Sequence, residues 1–341
     1  MVGIGLLTLV PGEIGGSETY ARGLTRALAA HGELEYAAFV PAGVETDLPT
    51  IEVREYRRAR TMRERLVAMT WAAARPGPLR RRIGPVDAMH FPLTIALPPV
   101  AAPTAVTLHD TQYRDLPELF SRGELAFRKV FYDRSLRRAR LVIVPSEFVR
   151  ERLGLDKARV VHHGIDHERF APAPVEREDF LLYPARPWPH KNHARLYEAL
   201  ALLRRERPEL RLVLTGGGHD GPVPDGVEVR GLVSEDELVD LYRRAAALVF
   251  PSLYEGFGQP PLEAFACGCP VAAARAGSLP EVCGDAARLF DPHAPEEIAA
   301  AVAEVLDAPD EWSRRGLVQA ARFTWERSAR GHDDVYRELR D

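Results

Sequence analysis

The sequence predicts an α/β protein of two doubly wound halves, each a parallel sheet covered by helices. Three observations carry this reading. Apolar runs of strand length alternate with amphipathic stretches of helix length from end to end, the pattern of parallel strands joined by helices. The chain has 341 residues, too many for one ordinary core and suited to two domains of about 150 residues each. Between Asp166 and Asp179 the chain carries Pro172, Pro174 and many charges, the composition of a linker.

The expected strands of the first half are Gly3–Val10, Tyr36–Val40, Ala88–Phe91, Thr104–Leu108, Leu141–Pro145 and Val160–His162. Those of the second half are Phe180–Pro184, Arg211–Thr215, Val227–Arg230, Ala247–Pro251, Val271–Ala274 and Ala287–Phe290. Helices are expected at Ser17–His31, Gly123–Arg138, Ser146–Arg152, His193–Arg205, Ser234–Arg244, Pro260–Cys267 and Pro295–Ala308. The boundaries follow: an N-terminal domain over 1–166, a linker over 167–179 and a C-terminal domain over 180–322. Ligands of such sheets bind beyond the carboxyl ends of the strands. A cleft between the halves is therefore the expected site.

Composition narrows the class. Apolar residues make up 46% and charged residues 28%, with a net charge of −4, which fits a globular enzyme and carries no global signal for nucleic acid. Cys267, Cys269 and Cys283 cannot all pair, and the first two stand one residue apart; this points to a reducing, cytoplasmic compartment. The opening MVGIGLLTLVPGEIGG lacks a basic start and a cleavage site, so it reads as a buried strand and a glycine turn rather than a signal peptide. No apolar run reaches the roughly 18 residues of a spanning helix. One stretch stands out: Arg54–Arg82 holds ten arginines against Glu55 and Glu64, with Leu66, Val67, Met69 and Trp71 among them. It reads either as a solvated arginine-rich helical face or as a basic surface for peripheral contact with anionic lipid at the inner face of a membrane, or for a polyanionic acceptor.

The strongest chemical signal is Tyr254-Glu255-Gly256-Phe257-Gly258-Gln259-Pro260-Pro261-Leu262-Glu263. A strand runs into a glycine loop and a helix starts at the prolines, which suit a first helical turn. The helix N-terminus offers N–H donors and a partial positive charge. Gly256 and Gly258 let backbone approach a ligand. Glu263 is expected in the first turn, where a carboxylate can accept two hydroxyl hydrogen bonds from a ribose diol. Glu255 could reach a donor sugar. The plainer alternative is an acidic residue that complements the helix dipole.

A second cluster, Tyr183-Pro184-Ala185-Arg186-Pro187-Trp188-Pro189-His190-Lys191-Asn192, follows the first strand of the second half. Arg186 as a fork and Lys191 as a point charge could clamp a diphosphate. No Asp-x-Asp, a pairing that can hold a metal beside a diphosphate, occurs in the chain. Cationic side chains and a helix dipole can supply the stabilisation instead, so no metal and no other cofactor is expected. In the first half, Gly15-Gly16-Ser17-Glu18-Thr19 lies between a strand and a helix, placing Gly15 and Gly16 for contact with a phosphate or sugar oxygen and Ser17 at a helix N-cap. His109 ends an expected strand, where sheets present catalytic groups; the alternative is a structural histidine.

These residues resemble the family-four retaining glycosyltransferases. Glu255 to Glu263 looks like the family's E-x7-E motif. ACGCPVAAARAGSLPEVCGDAARLFDP after it and FTWERSARGHDDVYREL near the end are similar to mannosyltransferase-like members. The resemblance implies the GT-B fold, two Rossmann-like domains with parallel sheets facing a central cleft. It also implies transfer of a hexosyl group from a nucleotide-sugar to a hydroxyl acceptor, as in glycan, polysaccharide or glycolipid biosynthesis. It implies that Glu263 binds the ribose and Glu255 the donor sugar, and that Arg186 and Lys191 hold the diphosphate. It further implies that Gly15 and Gly16 face that diphosphate, and that His109 lies close to the donor sugar. GDP-mannose is the favoured donor, with a UDP-linked glucose or N-acetylglucosamine next; the base is expected to be read by backbone near Arg230–Val233. The acceptor is a lipid-linked glycan, a polysaccharide or a small molecule. His163-Gly164-Ile165-Asp166 is similar to the family's Asn-Gly-Val-Asp with histidine for asparagine, and reads as structural. The family's last helix crosses back onto the first domain, here 323–341 with Trp325 and Tyr336 as anchors.

Other classes remain. A sugar-nucleotide 2-epimerase shares the two-domain frame but needs no acceptor. A non-catalytic partner subunit would have lost Glu255, Arg186 or Lys191. A dinucleotide dehydrogenase would show GxGxxG and an acidic residue about 20 positions on, which the first glycine turn does not.

Overall fold

A computed structural model of the chain describes residues 1–10, 15–56, 59 and 61–341. Two compact units emerge, one formed by 1–164 with 325–341 and the other by 165–324.

In chain order, the first unit contains β1 (Val2–Gly5), α1 (Gly16–His31), β2 (Tyr36–Val40), β3 (Thr50–Glu52), α2 (Met62–Ala74), α3 (Pro76–Ile83), β4 (Ala88–Phe91) and β5 (Thr104–Thr107). It continues with α4 (Gln112–Asp115), α5 (Arg122–Arg138), β6 (Leu141–Val144), α6 (Glu147–Leu153) and β7 (Ala158–Val160). Its seven strands are ordered β3-β2-β1-β4-β5-β6-β7, and every recorded pairing is parallel. Successive side chains of a strand point to opposite faces, and the core divides accordingly. Val2, Ile4, Ala38, Val40, Ala105 and Ile143 pack with α1 residues such as Tyr20 and Leu24. Phe39, Met89, Phe91, Val106 and Val142 pack with Ala68, Leu79 and Val149 from α2, α3 and α6. Because both faces are covered, the inner strands β1, β2 and β6 read as continuous buried apolar runs rather than alternating ones.

The second unit runs β8 (Glu178–Pro184), α7 (His193–Leu203), β9 (Arg211–Thr215), β10 (Val227–Gly231), α8 (Glu235–Arg244), β11 (Ala245–Phe250), α9 (Gln259–Ala266) and β12 (Val271–Ala274). α10 (Leu279–Cys283), β13 (Arg288–Phe290), α11 (Pro295–Asp307) and α12 (Pro309–Ala320) follow. Its six strands are ordered β10-β9-β8-β11-β12-β13, all parallel. The chain enters and leaves this unit side by side: Ile165 bridges Thr324, and the Ile165 N–H donates to the Phe323 carbonyl at 3.1 Å. α13 (Trp325–Arg340) then packs on α1 in the first unit, with Ala329, Val335, Tyr336 and Leu339 in the α1 core.

Several boundaries differ from expectation. The run Gly3–Val10 is strand only to Gly5; Leu6, Leu7, Leu9 and Val10 stay buried in a turn closed by Leu9 N–H to Leu6 carbonyl at 3.0 Å. Burial keeps the residues apolar whether or not they pair. The three-residue edge strand β3 and helices α2, α3 and α12 were not separately legible: β3 is too short to show a period, and the arginines of α2 and α3 mask theirs. Glu178 and Asp179, read as linker, lie in β8. The three cysteines are free and buried. Among the described residues, no helix is long and apolar enough to cross a membrane.

Candidate functional site

In a doubly wound sheet, ligands sit where the strand order reverses, beyond the carboxyl ends of the two strands on either side. In the second unit that point lies between β8 and β11, which are neighbours although α7, β9, β10 and α8 separate them in sequence. The loop after β8 carries Arg186 and Lys191; the loop after β11 carries Glu255, Gly256, Phe257 and Gly258. Topology alone therefore puts the two sequence clusters side by side.

The side chains meet. Lys191 Nζ donates to Glu255 Oε1 at 2.5 Å, and the two side chains are only 15% and 14% exposed. Lys191 also sits 5.5 Å from the Phe250 ring centroid. Its backbone is held by Tyr183, whose hydroxyl donates to the Lys191 carbonyl at 2.7 Å and lies 3.1 Å from Ser252 Oγ. Asn192 adopts a left-handed conformation at φ 61, which asparagine tolerates better than most residues. From there its amide donates to the carbonyls of Pro251 at 3.1 Å and Pro292 at 2.7 Å, tying the β8 loop to the loops after β11 and β13. Arg186 is exposed, its guanidinium 5.8 Å from the ring centroid of Trp188.

Glu255 is fixed from behind. Its carbonyl accepts from both the N–H and the hydroxyl of Ser278 at 3.1 Å. Gly277 makes this approach possible: at φ +59, a Cβ there would stand 2.7 Å from the Glu255 nitrogen and oxygen. Gly258 is the N-cap of α9 at φ 95, and a Cβ on it would meet Leu279 at 2.7 Å. Packing within the unit is thus sufficient reason for that glycine. Phe257 is buried and edge-on to Phe323 at 5.9 Å, so only its backbone is left to meet a ligand.

Two details of α9 correct the sequence reading. Glu263 is the fifth helical residue, in the second turn rather than the first, and no acidic residue lies in the first turn. The second and third residues, Pro260 and Pro261, have no N–H, so the helix start offers fewer donors than a generic one. Glu263 Oε2 accepts from the Tyr242 hydroxyl of α8 at 2.9 Å. Burial pushes its pKa up to about 7, against the opposing pull of that hydrogen bond.

In the first unit the order reverses between β1 and β4. Gly15 and Gly16 lie after β1. Gly15 is the N-cap of α1 at φ 59, a conformation that favours glycine, and its carbonyl accepts from Glu18 N–H at 2.8 Å. Among the described residues, a Cβ on either glycine would meet nothing within 4 Å. Ser17 is inside the helix, not its cap. His109 follows β5, and its Nε2 lies 2.9 Å from the Pro92 carbonyl after β4. A carbonyl only accepts, so Nε2 carries the proton and Nδ1 keeps the lone pair of a neutral ring. Burial lowers the His109 pKa, opposed by the Pro92 hydrogen bond and by Asp110. The ring is edge-on to Tyr20 at 5.0 Å, and Tyr20 stacks on His163 at 4.4 Å. Sequence reasoning gave no role to Tyr183, Asn192, Tyr242 or Gly277. Asn192 beside Lys191 and Gly277 before a helix were readable as special backbone positions; nothing marked the two tyrosines.

The arginine-rich stretch is less uniform than its sequence. Arg57, Arg58 and Arg60 lie outside the described residues. Arg65 is 6% exposed, so this member belongs to no solvated face. Arg54 pairs with Glu52 at 3.2 Å and Arg82 with Glu55 at 3.2 Å. Leu66 and Val67 on α2 are 45% and 66% exposed. Among the described residues, no group of three or more His, Cys, Asp or Glu is placed to hold a metal ion.

Comparison with known proteins fits this geometry. Residues 164–322 match the family described as glycosyl transferases group 1, and residues 14–169 match glycosyltransferase family 4. The O-antigen chain mannosyltransferase B of Escherichia coli is 31% identical over 266 residues, covering 68% of this chain and 70% of that protein. A D-inositol 3-phosphate glycosyltransferase of Streptomyces scabiei is 34% identical over 216 residues, covering 53% of this chain; here the chain spans 48% of the relative. Among solved structures, sucrose-phosphate synthase from Thermosynechococcus elongatus superposes with a TM-score of 0.77 at 20% identity, covering 99% of this chain and 98% of the other. The Anabaena protein HepE, solved in complex with UDP and glucose, gives 0.71 at 16% identity, covering 99% of both chains. At these identities the two structures show the fold alone, which is GT-B.

Proposed function

We propose transfer of a hexosyl group from a nucleoside-diphosphate sugar to a hydroxyl acceptor, with retention of configuration, as the activity of this chain, which belongs to the family-four glycosyltransferases. Mannose is the favoured sugar: the Escherichia coli relative is a mannosyltransferase. A UDP-linked sugar is the next choice, since HepE binds UDP and glucose.

The observation that carries the reading is the Lys191–Glu255 pair at 2.5 Å, assembled at the carboxyl ends of adjacent parallel strands. A cation and a carboxylate preorganised at one point suit a donor that brings a dianionic leaving group and an electron-poor sugar carbon. Lys191, with Arg186 as a fork, stabilises charge on the departing diphosphate. Glu255, relieved of its partner, meets the donor sugar. Glu263 accepts from the ribose hydroxyls. On the first unit, Gly15 and Gly16 are assigned to the diphosphate through their backbone, and the lone pair of His109 Nδ1 to a sugar hydroxyl. The acceptor oxygen bonds to the anomeric carbon as that carbon's bond to the phosphate oxygen breaks. The acceptor's proton passes to the departing phosphate oxygen on the same face, so the step needs no separate base and no metal.

A thermal-shift panel of GDP, UDP, ADP and their sugars tests the donor. A ligand that binds only the native state raises the melting temperature, by about 2.7 kcal/mol of added stability at a hundred times its Kd. One nucleotide should stand out, and turnover of its sugar should survive chelator and give product with the donor's anomeric configuration. No stabilisation by any nucleoside diphosphate, loss of turnover in chelator, or an inverted product would each contradict its part of the reading.

Peripheral membrane contact is assigned to α2, where exposed Leu66 and Val67 stand beside exposed Arg63. Apolar side chains that insert and arginines that meet lipid phosphates predict pelleting with anionic vesicles that fades as salt is raised. Binding indifferent to lipid charge would overturn it.

A further inference from the structure

The core between α1, β4, β5 and α13 holds a chain of polar side chains that the transfer chemistry leaves unexplained. His332 Nδ1 lies 2.7 Å from the Ser328 carbonyl, and His332 Nε2 lies 2.8 Å from the Tyr20 hydroxyl. That hydroxyl is 3.0 Å from Thr107 Oγ1, which is 2.8 Å from His90 Nε2. His90 Nδ1 ends the series 2.7 Å from the Tyr336 hydroxyl. Both imidazoles are 0% exposed.

One end of this chain fixes every proton in it. The Ser328 carbonyl can only accept, so His332 carries its proton on Nδ1 and, as a neutral ring, presents a lone pair at Nε2. Tyr20 must then donate to His332. Its oxygen in turn accepts from Thr107, whose oxygen accepts from His90 Nε2–H, and His90 Nδ1 accepts from Tyr336. The hydrogen bonds all run one way, and the two histidines are held in opposite tautomers. Burial supports the neutral forms: it lowers the His332 pKa to about 4 and that of His90 well below its usual value, with neighbouring histidines adding to the latter.

The relay has a bearing on the site because of where Tyr20 stands. Its hydroxyl is gripped by β5 and α13, and its ring is wedged between His109, edge-on at 5.0 Å, and His163, stacked at 4.4 Å. We propose that Tyr20, oriented by Thr107 and His332, is a positioning residue that holds the His109 ring in register, so that the final helix supports the catalytic unit as well as the core. The claim rests on the role given to His109 under Proposed function.

The test has two readouts. Long-range proton–nitrogen correlation of the imidazoles in the full chain, assigned by single substitutions, should show the Nε2–H tautomer for His90 and the Nδ1–H tautomer for His332. Tyr20→Phe keeps the ring and removes the hydroxyl; it should lower kcat about ten- to hundredfold, the scale of a small misplacement of a reacting group, while donor KM stays within about twofold, since the nucleotide is held elsewhere. In a His109→Ala background the same substitution should cost nothing further, the non-additivity of two residues acting as one. Thr107→Val should mimic Tyr20→Phe, and Thr107→Ser should recover most of the loss. The relay is overturned by the opposite tautomer, or a charged ring, at either histidine. The positioning role is overturned if Tyr20→Phe and His109→Ala multiply. If His109→Ala alone turns over normally, the role of His109 falls and positioning falls with it, whereas the tautomers still decide the relay.

Discussion

Lys191→Ala is expected to lower kcat/KM by about 2–4 kcal/mol, roughly thirty- to a thousandfold, the range for removing one preorganised group that stabilises developing charge. The loss should fall mainly on kcat, because the charge on the leaving diphosphate grows as the bond to the sugar breaks. The structure adds a complication that the sequence does not contain. Lys191 is also the counter-charge of Glu255 in a pair only 15% and 14% exposed. Removing the lysine leaves a carboxylate mostly out of water and without its counter-charge, with a stability cost between the ~1 kcal/mol of an exposed pair and the ~3–5 kcal/mol of a fully buried one. Folding and chemistry are separated by a second variant, Lys191→Ala with Glu255→Gln. It removes the orphaned charge and should recover much of the melting temperature with no recovery of turnover. Steady-state kinetics and thermal melts on the two variants decide it. Near-wild-type kcat/KM in Lys191→Ala would remove Lys191 from the mechanism.

Glu263→Gln is expected to make the protein more stable and worse at binding its donor. The Glu263 carboxyl has its pKa raised from 4.5 to about 7 by burial. Below about pH 4.5 the folded and unfolded chains both carry the proton. Between about 4.5 and 7 only the folded chain keeps it, so this group's stability contribution declines as pH rises and is fully lost above about 7. Over that window the loss amounts to about 3 kcal/mol, at 1.36 kcal/mol per pKa unit. Glutamine stays neutral and can still accept from the Tyr242 hydroxyl, so the variant should gain most of that energy at pH 8 and nothing near pH 4. Donor affinity should move the other way. A carboxylate offers two acceptor oxygens to a diol and an amide one, and a hydrogen bond to a charged group contributes about 1.5–3 kcal/mol. For the parent chain, affinity should therefore climb with pH through about 7. Denaturant melts at several pH values and nucleotide titrations measure both trends. A variant less stable at pH 8, or one with undiminished affinity, would show that Glu263 is a packing residue.

The two substitutions differ in how much of their outcome the sequence could anticipate. Lys191 was readable as a candidate, a cation in a proline-rich loop after a strand. That it is held by Glu255, 64 positions away, was not, because β8 and β11 become neighbours only when the sheet is ordered. Glu263 was readable as a carboxylate near a helix start. Its second-turn position, its bond to Tyr242 and its raised pKa depend on how α8 and α9 pack.

By itself the sequence determined the α/β class, the parallel strands and the glycine-, proline- and charge-bearing loops at their carboxyl ends. These are local or periodic properties: apolar runs record burial, and turn residues record backbone angles, wherever the chain goes next. Even the lapses were local, such as Gly3–Val10, where burial outlasted strand. Tertiary structure alone decided which loops meet and which protons sit where. The partner of Lys191, the backing of Glu255 by Ser278 and the one-way relay from Tyr336 to Ser328 all join residues far apart in sequence. Each is fixed by sheet order and helix packing, and direct contact between distant side chains has no period for a sequence to display.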